Sequence, residues 1–337
     1  MHKLRALGLI TALFLLVVSA HGSSHLPVGF KVGFEEVHIA NGAEPPLTVG
    51  IWYPTNVPGA EHPLGLFTQI VAPDAPVLGR NLPLVVLSHG GGGSYQSHYD
   101  TALALAQAGF VSAAVSHAGD TYDDQSQVLR IWRRPAQLRR LVSYMLEEWP
   151  HHGQLDANRV GAFGFSNGGF TVLVAAGGVP DLGKIGPYCA AHMDHDLCRA
   201  LKQGNVDLDL IAREAPANAW TPDLRIKAIV AAAPAFGFTF SREGLKDVHI
   251  PIELWRAAED RHQPNPGYEE AVRLALPHPP EYHVIAGAGH YDFLPPCGAR
   301  LAAINPAICA DPTGFDRPAF HSAFNTGVVR FFRANLR

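Results

Sequence analysis

A serine, an acid and a histidine in that chain order are sufficient for nucleophilic attack on a carbonyl carbon, and this 337-residue chain offers all three in settings that suit the task. Ser166 lies in Gly164-Phe165-Ser166-Asn167-Gly168, a G-x-S-x-G pattern. Such a turn holds its serine on a strained passage from strand to helix. An apolar run ending at Phe165 precedes it, and a helix-forming segment from Gly168 to Ala176 follows. A serine hydroxyl is a weak nucleophile and needs a base. With 18 histidines present, position must choose, and His290 follows the last strand-like run in "VIAGAGHYDFL". The bland alternative is a structural histidine on a glycine-rich loop. The acid belongs between the two. Asp260, at the end of "IELWRAAED", is the preferred residue, with its neighbour Glu259 as alternative; both also read as ordinary loop carboxylates. An aspartate there would hold the imidazole in one tautomer and stabilise its charged form.

Charge developing on a carbonyl oxygen needs backbone donors. The N–H of Asn167 is one expected donor. The other comes from "SHGGGG" (Ser88–Gly93), with Gly91 preferred and Gly92 second. A flexible turn would also explain that run. No Lys-Ser/Thr follows it, which excludes a P-loop. His117 and Asp120, in "SHAGDTYDD", are candidate substrate contacts, although a loop-stabilising hydrogen bond is the plainer reading. Tyr95, Tyr99, Trp255 and Tyr291 are candidate pocket walls, and core packing explains them equally. The "HMDHD" stretch (His192–Asp196) has groups that bind metals. It falls between Cys189 and Cys198, so a solvated disulfide loop is the expected role, and no metal or cofactor is expected.

These residues need rigid elements to hold them. The runs at Thr48–Thr55, Leu82–Ser88, Phe110–His117, Arg159–Phe165, Ile226–Phe236, His249–Asp260 and Glu281–Gly287 read as strands. Those without polar alternation suit strands buried on both faces. Helical segments alternate with them, including His98–Phe110, Pro135–Trp149 and Phe324–Leu336. The sequence from His62 to Asn81 reads as a proline-rich loop. Alternation of this kind predicts an α/β fold with a mostly parallel sheet and right-handed crossovers. Residues from about 178 to 222 break the rhythm and read as a lid-like insertion. "RIWRRPAQLRR" (Arg130–Arg140) reads as the solvated face of a helix.

Composition sets outer limits. Net charge is −4 with scattered basic residues, which argues against nucleic acid as a partner. Lys3 and Arg5, an apolar run to Val18, and Val18-Ser19-Ala20 form the three regions of a signal peptide cleaved after residue 20, leaving 21–337 as the mature domain. The apolar run is shorter than the roughly 20 residues of a membrane span. Export predicts a secreted or periplasmic location and disulfides. Four cysteines allow three pairings; short local loops favour Cys189–Cys198 and Cys297–Cys309, with free buried thiols as the alternative.

Taken together, "WYPT", "PLVVLSHGGGG", "GAFGFSNGGF", the acid after "IELWRAAED", "AGHYDFLPPC" and the tail from Cys297 to Arg317 resemble the α/β-hydrolases. Within them the chain is similar to the bacterial predicted dienelactone hydrolase group, related to platelet-activating-factor acetylhydrolases, from about residue 27 to the C-terminus. The resemblance implies a serine esterase acting through Ser166, Asp260 and His290, on a small or lipid-like ester and without a cofactor. Two departures stand out. Dienelactone hydrolases use a cysteine nucleophile where this chain has Ser166. The acetylhydrolases take their acid after strand six, and here that strand reads "AIVAAAPAFGF", without a carboxylate. A phospholipase A2-like lipid esterase, an amidase or peptidase, and a non-catalytic hydrolase-fold binding protein are the alternative readings. The last would be expected to lack the serine or the histidine.

Overall fold

The structure, a computed structural model, describes residues 29–337. The expected signal peptide lies outside the described residues. Ten strands form one sheet: β1 (Lys31–Asn41), β2 (Glu44–Thr55), β3 (Ala60–Leu64), β4 (Phe67–Pro73), β5 (Leu82–Ser88), β6 (Val111–Val115), β7 (Leu155–Phe165), β8 (Ile226–Ala232), β9 (Ile252–Ala257) and β10 (Glu281–Ile285). Their order is β10-β9-β8-β7-β5-β6-β2-β1-β4-β3. From β6 through β10 every pairing is parallel. β2, β1 and the β3–β4 hairpin extend that sheet with a mostly antiparallel edge. The central parallel strands therefore deliver their C-terminal loops to one side, where open α/β sheets bind ligands.

The continuous apolar runs have a simple cause, since helices cover both faces of the central strands. Along β5, Leu82, Leu84 and Val86 enter one core layer while Val85 and Leu87 enter the other. Helix α1 (Tyr99–Gln107) packs on one face with the long C-terminal helix; α2 (Arg133–Ser143) and α3 (Asn167–Ala175) pack on the other. Between α3 and β8 come α4 (Ile185–Ala191), α5 (Asp196–Gln203) and α6 (Leu208–Glu214), in the stretch read as an insertion. After β8 come α7 (Arg242–Leu245), α8 (Glu269–Ala275), α9 (Ala299–Ile304), α10 (Pro306–Cys309) and α11 (Arg317–Asn335). Both expected disulfides are present, with S–S separations of 2.02 Å for Cys189–Cys198 and 2.01 Å for Cys297–Cys309.

Two expectations need correction. Residues 62–81 are not a proline-rich loop throughout. Their first half closes the β3–β4 hairpin, with His62 opposite Gln69 and Gly65 turning at φ 59°. Pro63 and Pro73 are tolerated because β3 is an edge strand and Pro73 ends β4. The basic run is not wholly solvated either. Arg134, in the first turn of α2, is only 2% exposed.

Candidate active site

β7 ends at Phe165 and α3 begins at Asn167, which leaves Ser166 alone on the turn with φ 54° and ψ −116°. That backbone is costly for a residue with a Cβ, and such strain collects at functional sites. The glycines around it make the passage sterically feasible. A Cβ on Gly164 would lie 2.0 Å from the Gly168 carbonyl oxygen, and one on Gly168 would lie 1.9 Å from that of Ser88. Ser166 is anchored by its N–H to the Ala232 carbonyl at 2.9 Å, which ties it to β8.

The loops after β9 and β10 supply the other two groups. His290 Nε2 lies 3.1 Å from Ser166 Oγ, and its Nδ1 lies 2.7 Å from Asp260 Oδ2. The carboxylate fixes the tautomer: Nδ1–H donates to Asp260, so Nε2 is free to accept the serine proton. Asp260 is itself held from behind, where Oδ1 accepts the N–H groups of His262 (2.9 Å) and Gln263 (2.8 Å). Burial works against its charge, but His290 and the Gln263 N–H prevail, and its pKa stays below the usual carboxylate value. Glu259, the alternative acid, makes neither contact; its backbone N–H bonds to the Ala288 carbonyl.

The glycine loop after β5 packs against the same turn. A Cβ on Gly90 would meet the Phe165 ring at 3.0 Å, and one on Gly91 would meet the Asn167 amide at 2.8 Å. Neither the Gly91 nor the Asn167 N–H has an acceptor among the described residues, and both residues line the cavity over Ser166. The Gly92 N–H differs, because it donates to Asp120 Oδ1 at 2.8 Å.

That contact belongs to a buried polar group underneath the loop. Arg134 Nε donates to Asp120 Oδ2 at 2.7 Å, Nη1 to the His89 carbonyl at 2.6 Å and Nη2 to the Gly90 carbonyl at 3.0 Å. His89 Nδ1 donates to the Gly90 carbonyl at 2.6 Å, and Nε2 accepts the His117 N–H at 3.0 Å. His117 Nδ1 donates to Gln137 Oε1 at 2.9 Å, and Nε2 accepts from the Ser88 hydroxyl at 2.8 Å. Burial and then the Arg134 charge push the pKa of both imidazoles well below the usual histidine value. They are neutral struts.

A cavity of about 990 Å³ opens over Ser166. Tyr291 and Gly92 line it. His117 and Asp120 do not, because their polar atoms are committed to Ser88, Gly92 and the α2 residues Gln137 and Arg134, and both residues are buried. Tyr95 is likewise absent from the lining: its ring packs near Trp52 and its hydroxyl donates to Glu36. Tyr99 packs on Phe67, and Trp255 stacks on His283. His192 and Asp194 gather no metal-ligand set among the described residues. His195 bonds Tyr188, while Asp196 pairs with Arg199 and His262. Sequence reasoning passed over Gln263, whose Nε2–H donates to Ser166 Oγ at 3.2 Å, and Arg134. For Arg134 a signal existed in hindsight, an arginine beside a proline that opens a helix after a loop carrying Asp120.

No family model matches the chain, and no curated protein matches it. Solved structures do. A ferulic acid esterase from Streptomyces cinnamoneus is similar with a TM-score of 0.62 at 18% identity, over 94% of this chain and 92% of that one. A dienelactone hydrolase from Anabaena variabilis ATCC 29413 is similar with a TM-score of 0.54 at 15% identity, over 91% and 100%. At such identities the likeness is one of fold. With the strand order and the strained strand-to-helix turn already described, it identifies the architecture: the chain has the α/β-hydrolase fold.

Proposed function

We propose that this protein is a serine hydrolase of carboxylic esters. The observation that carries the reading is the unbroken hydrogen-bonded series Asp260–His290–Ser166 at 2.7 and 3.1 Å, beside two N–H groups that have no acceptor among the described residues. Ser166 Oγ attacks the ester carbonyl while His290 Nε2 takes its proton. The carbonyl oxygen gathers charge facing the N–H groups of Gly91 and Asn167, each worth about 3–4 kcal/mol in comparable sites. The carbonyl–alkoxy bond breaks, and the alcohol leaves with the proton from His290. Water then gives a proton to His290 and its oxygen to the acyl carbon, and Ser166 recovers its proton as the acid departs. Asp260 remains ionised and orients the ring throughout.

One observation favours lipid-like esters as a second reading of the substrate. Leu294, Leu301, Ile304 and Ile308 make one side of the cavity apolar, with Ile304 68% exposed at its rim. Two disulfides support an exported protein, and among the described residues no helix is long and apolar enough to cross a membrane. The test is a panel of p-nitrophenyl esters of increasing acyl length, run beside fluorophosphonate labelling. Ser166→Ala loses both activities; retention of hydrolysis in that variant overturns the reading.

A further inference from the structure

The two N–H groups facing the expected oxyanion are held by different means. That of Asn167 belongs to the first turn of α3, so the helix sets its direction. Gly91 sits among four consecutive glycines, Gly90–Gly93, whose backbone has wide freedom. A donor stabilises developing charge best when it is aimed beforehand. Something outside the loop must therefore restrict Gly91.

The restriction falls on the carbonyl one residue earlier. The Gly90 oxygen accepts Arg134 Nη2–H at 3.0 Å, His89 Nδ1–H at 2.6 Å and the Gly93 N–H at 3.2 Å. The Gly90–Gly91 peptide is trans. A trans peptide is planar, and its C=O and N–H point in opposite directions. Fixing the Gly90 carbonyl on Arg134 therefore fixes the Gly91 N–H, turned away from Arg134. Arg134 is buried and does not line the cavity, whereas Gly91 does, so that direction is the cavity side. The guanidinium is itself held. Nη1 donates to the His89 carbonyl at 2.6 Å and Nε to Asp120 Oδ2 at 2.7 Å, while Asp120 Oδ1 takes the Gly92 N–H at 2.8 Å. One planar fork thus spans two carbonyls and a carboxylate, which a lysine ammonium cannot do.

We propose that Arg134, braced by Asp120, is a positioning residue that aims the Gly91 N–H at the oxyanion. The inference rests on Ser166 being the ester nucleophile. Arg134→Lys keeps a positive charge beside Asp120 and loses the fork. Loss of a whole oxyanion donor costs about 100- to 1,000-fold in kcat at comparable sites, so a misaimed one should cost about tenfold or more. KM for p-nitrophenyl butyrate should stay within about threefold, because the bond at stake is made in the transition state. A trifluoromethyl ketone, which adds to the serine and leaves an oxyanion facing Gly91, should lose affinity in step with kcat/KM. Active sites are counted by end-point fluorophosphonate labelling, so unfolded protein does not enter kcat. Arg134→Met combined with Asp120→Leu separates aim from stability: no buried charge is left unpaired, yet the Gly90 carbonyl remains unheld and kcat stays low. A kcat per labelled serine within about twofold of wild type in Arg134→Lys, or restored in the double variant, overturns the assignment. So does a loss of kcat/KM carried wholly by KM, which would mark lost substrate binding. Where Arg134→Lys does not fold, the double variant decides. Wild-type protein that neither labels nor cleaves any ester overturns the functional reading, and this assignment with it.

Discussion

β9 and β10 each contribute to two groupings of a carboxylate with a histidine, and the two behave in opposite ways. Beyond the C-terminal ends of the strands, Asp260 and His290 meet at 2.7 Å under the cavity. Within the strands, Glu253 lies opposite Glu281 in register, and His283 is 3.3 Å from Glu253. The second grouping has the composition of a metal site, yet Arg330 from α11 already pairs with both glutamates. What separates the two is backbone. Asp260 receives two N–H groups from its own loop, which a carboxylate inside a ladder cannot obtain, because its neighbours' N–H groups are committed to strand pairing. His290 first, and then the Gln263 N–H, favour the charge on Asp260 against its burial. Glu253, 0% exposed, is pushed up to about 7, first by burial and further by Glu281. Position along a strand decides whether an acid–histidine pair can do chemistry.

The sharpest way to break this comparison is to neutralise each acid in turn. Asp260→Asn is expected to lower kcat on a p-nitrophenyl ester by about 1,000- to 10,000-fold, while Glu253→Gln stays within about twofold of wild type. Equal losses would erase the distinction. Next comes a third buried carboxylate, Asp120, whose partner is a cation rather than a histidine. Removing that partner by Arg134→Met should cost about 3–5 kcal/mol in urea unfolding and lower kcat, since the glycine loop loses its clamp. Asp120→Leu added to Arg134→Met should recover part of the stability.

Stability against pH sharpens the contrast in sign. Glu253 has a raised folded pKa, so its contribution is full below the unfolded value of 4.5 and is lost as pH rises through about 7. Glu253→Gln should therefore unfold at higher urea than wild type at pH 8, by about 1–3 kcal/mol, and match it at pH 4. Asp260, with a lowered folded pKa, contributes above the ordinary carboxylate range and loses that contribution as pH falls below it. The smallest effect is expected at His262, whose 2.7 Å pair with Asp196 is well exposed. His262→Ala should change stability by about 1 kcal/mol or less, read from the same urea curves.

Much of this was legible from residue order. The elbow glycines, the serine–acid–histidine sequence and the doubly buried strands are local patterns, and each has one dominant physical cause. The β3–β4 hairpin was not legible, because its prolines are signals of irregularity that an edge strand tolerates. For His117 and Asp120 two readings stood open, substrate contact and the plainer loop-stabilising hydrogen bond, and the structure has the plainer one. A polar residue after a strand faces either the ligand or the loop that holds it, and only the partners, Arg134 for Asp120 and Gln137 for His117, both on α2, decide which. Gln263 has no motif at all; its role depends on the turn that Asp260 imposes on the residues after it.

The Cys297–Cys309 bond brackets α9 and α10, and with them Leu301, Ile304 and Ile308 of the cavity's apolar side. Ser166, Asp260 and His290, by contrast, follow the parallel strands β7, β9 and β10. On the proposed function, the groups that react and the wall that selects thus rest on different supports, one a sheet and the other a stapled segment. If the proposed function holds, a preparation made under reducing conditions is expected to keep fluorophosphonate labelling of Ser166 and to change the acyl-length profile across a p-nitrophenyl ester panel.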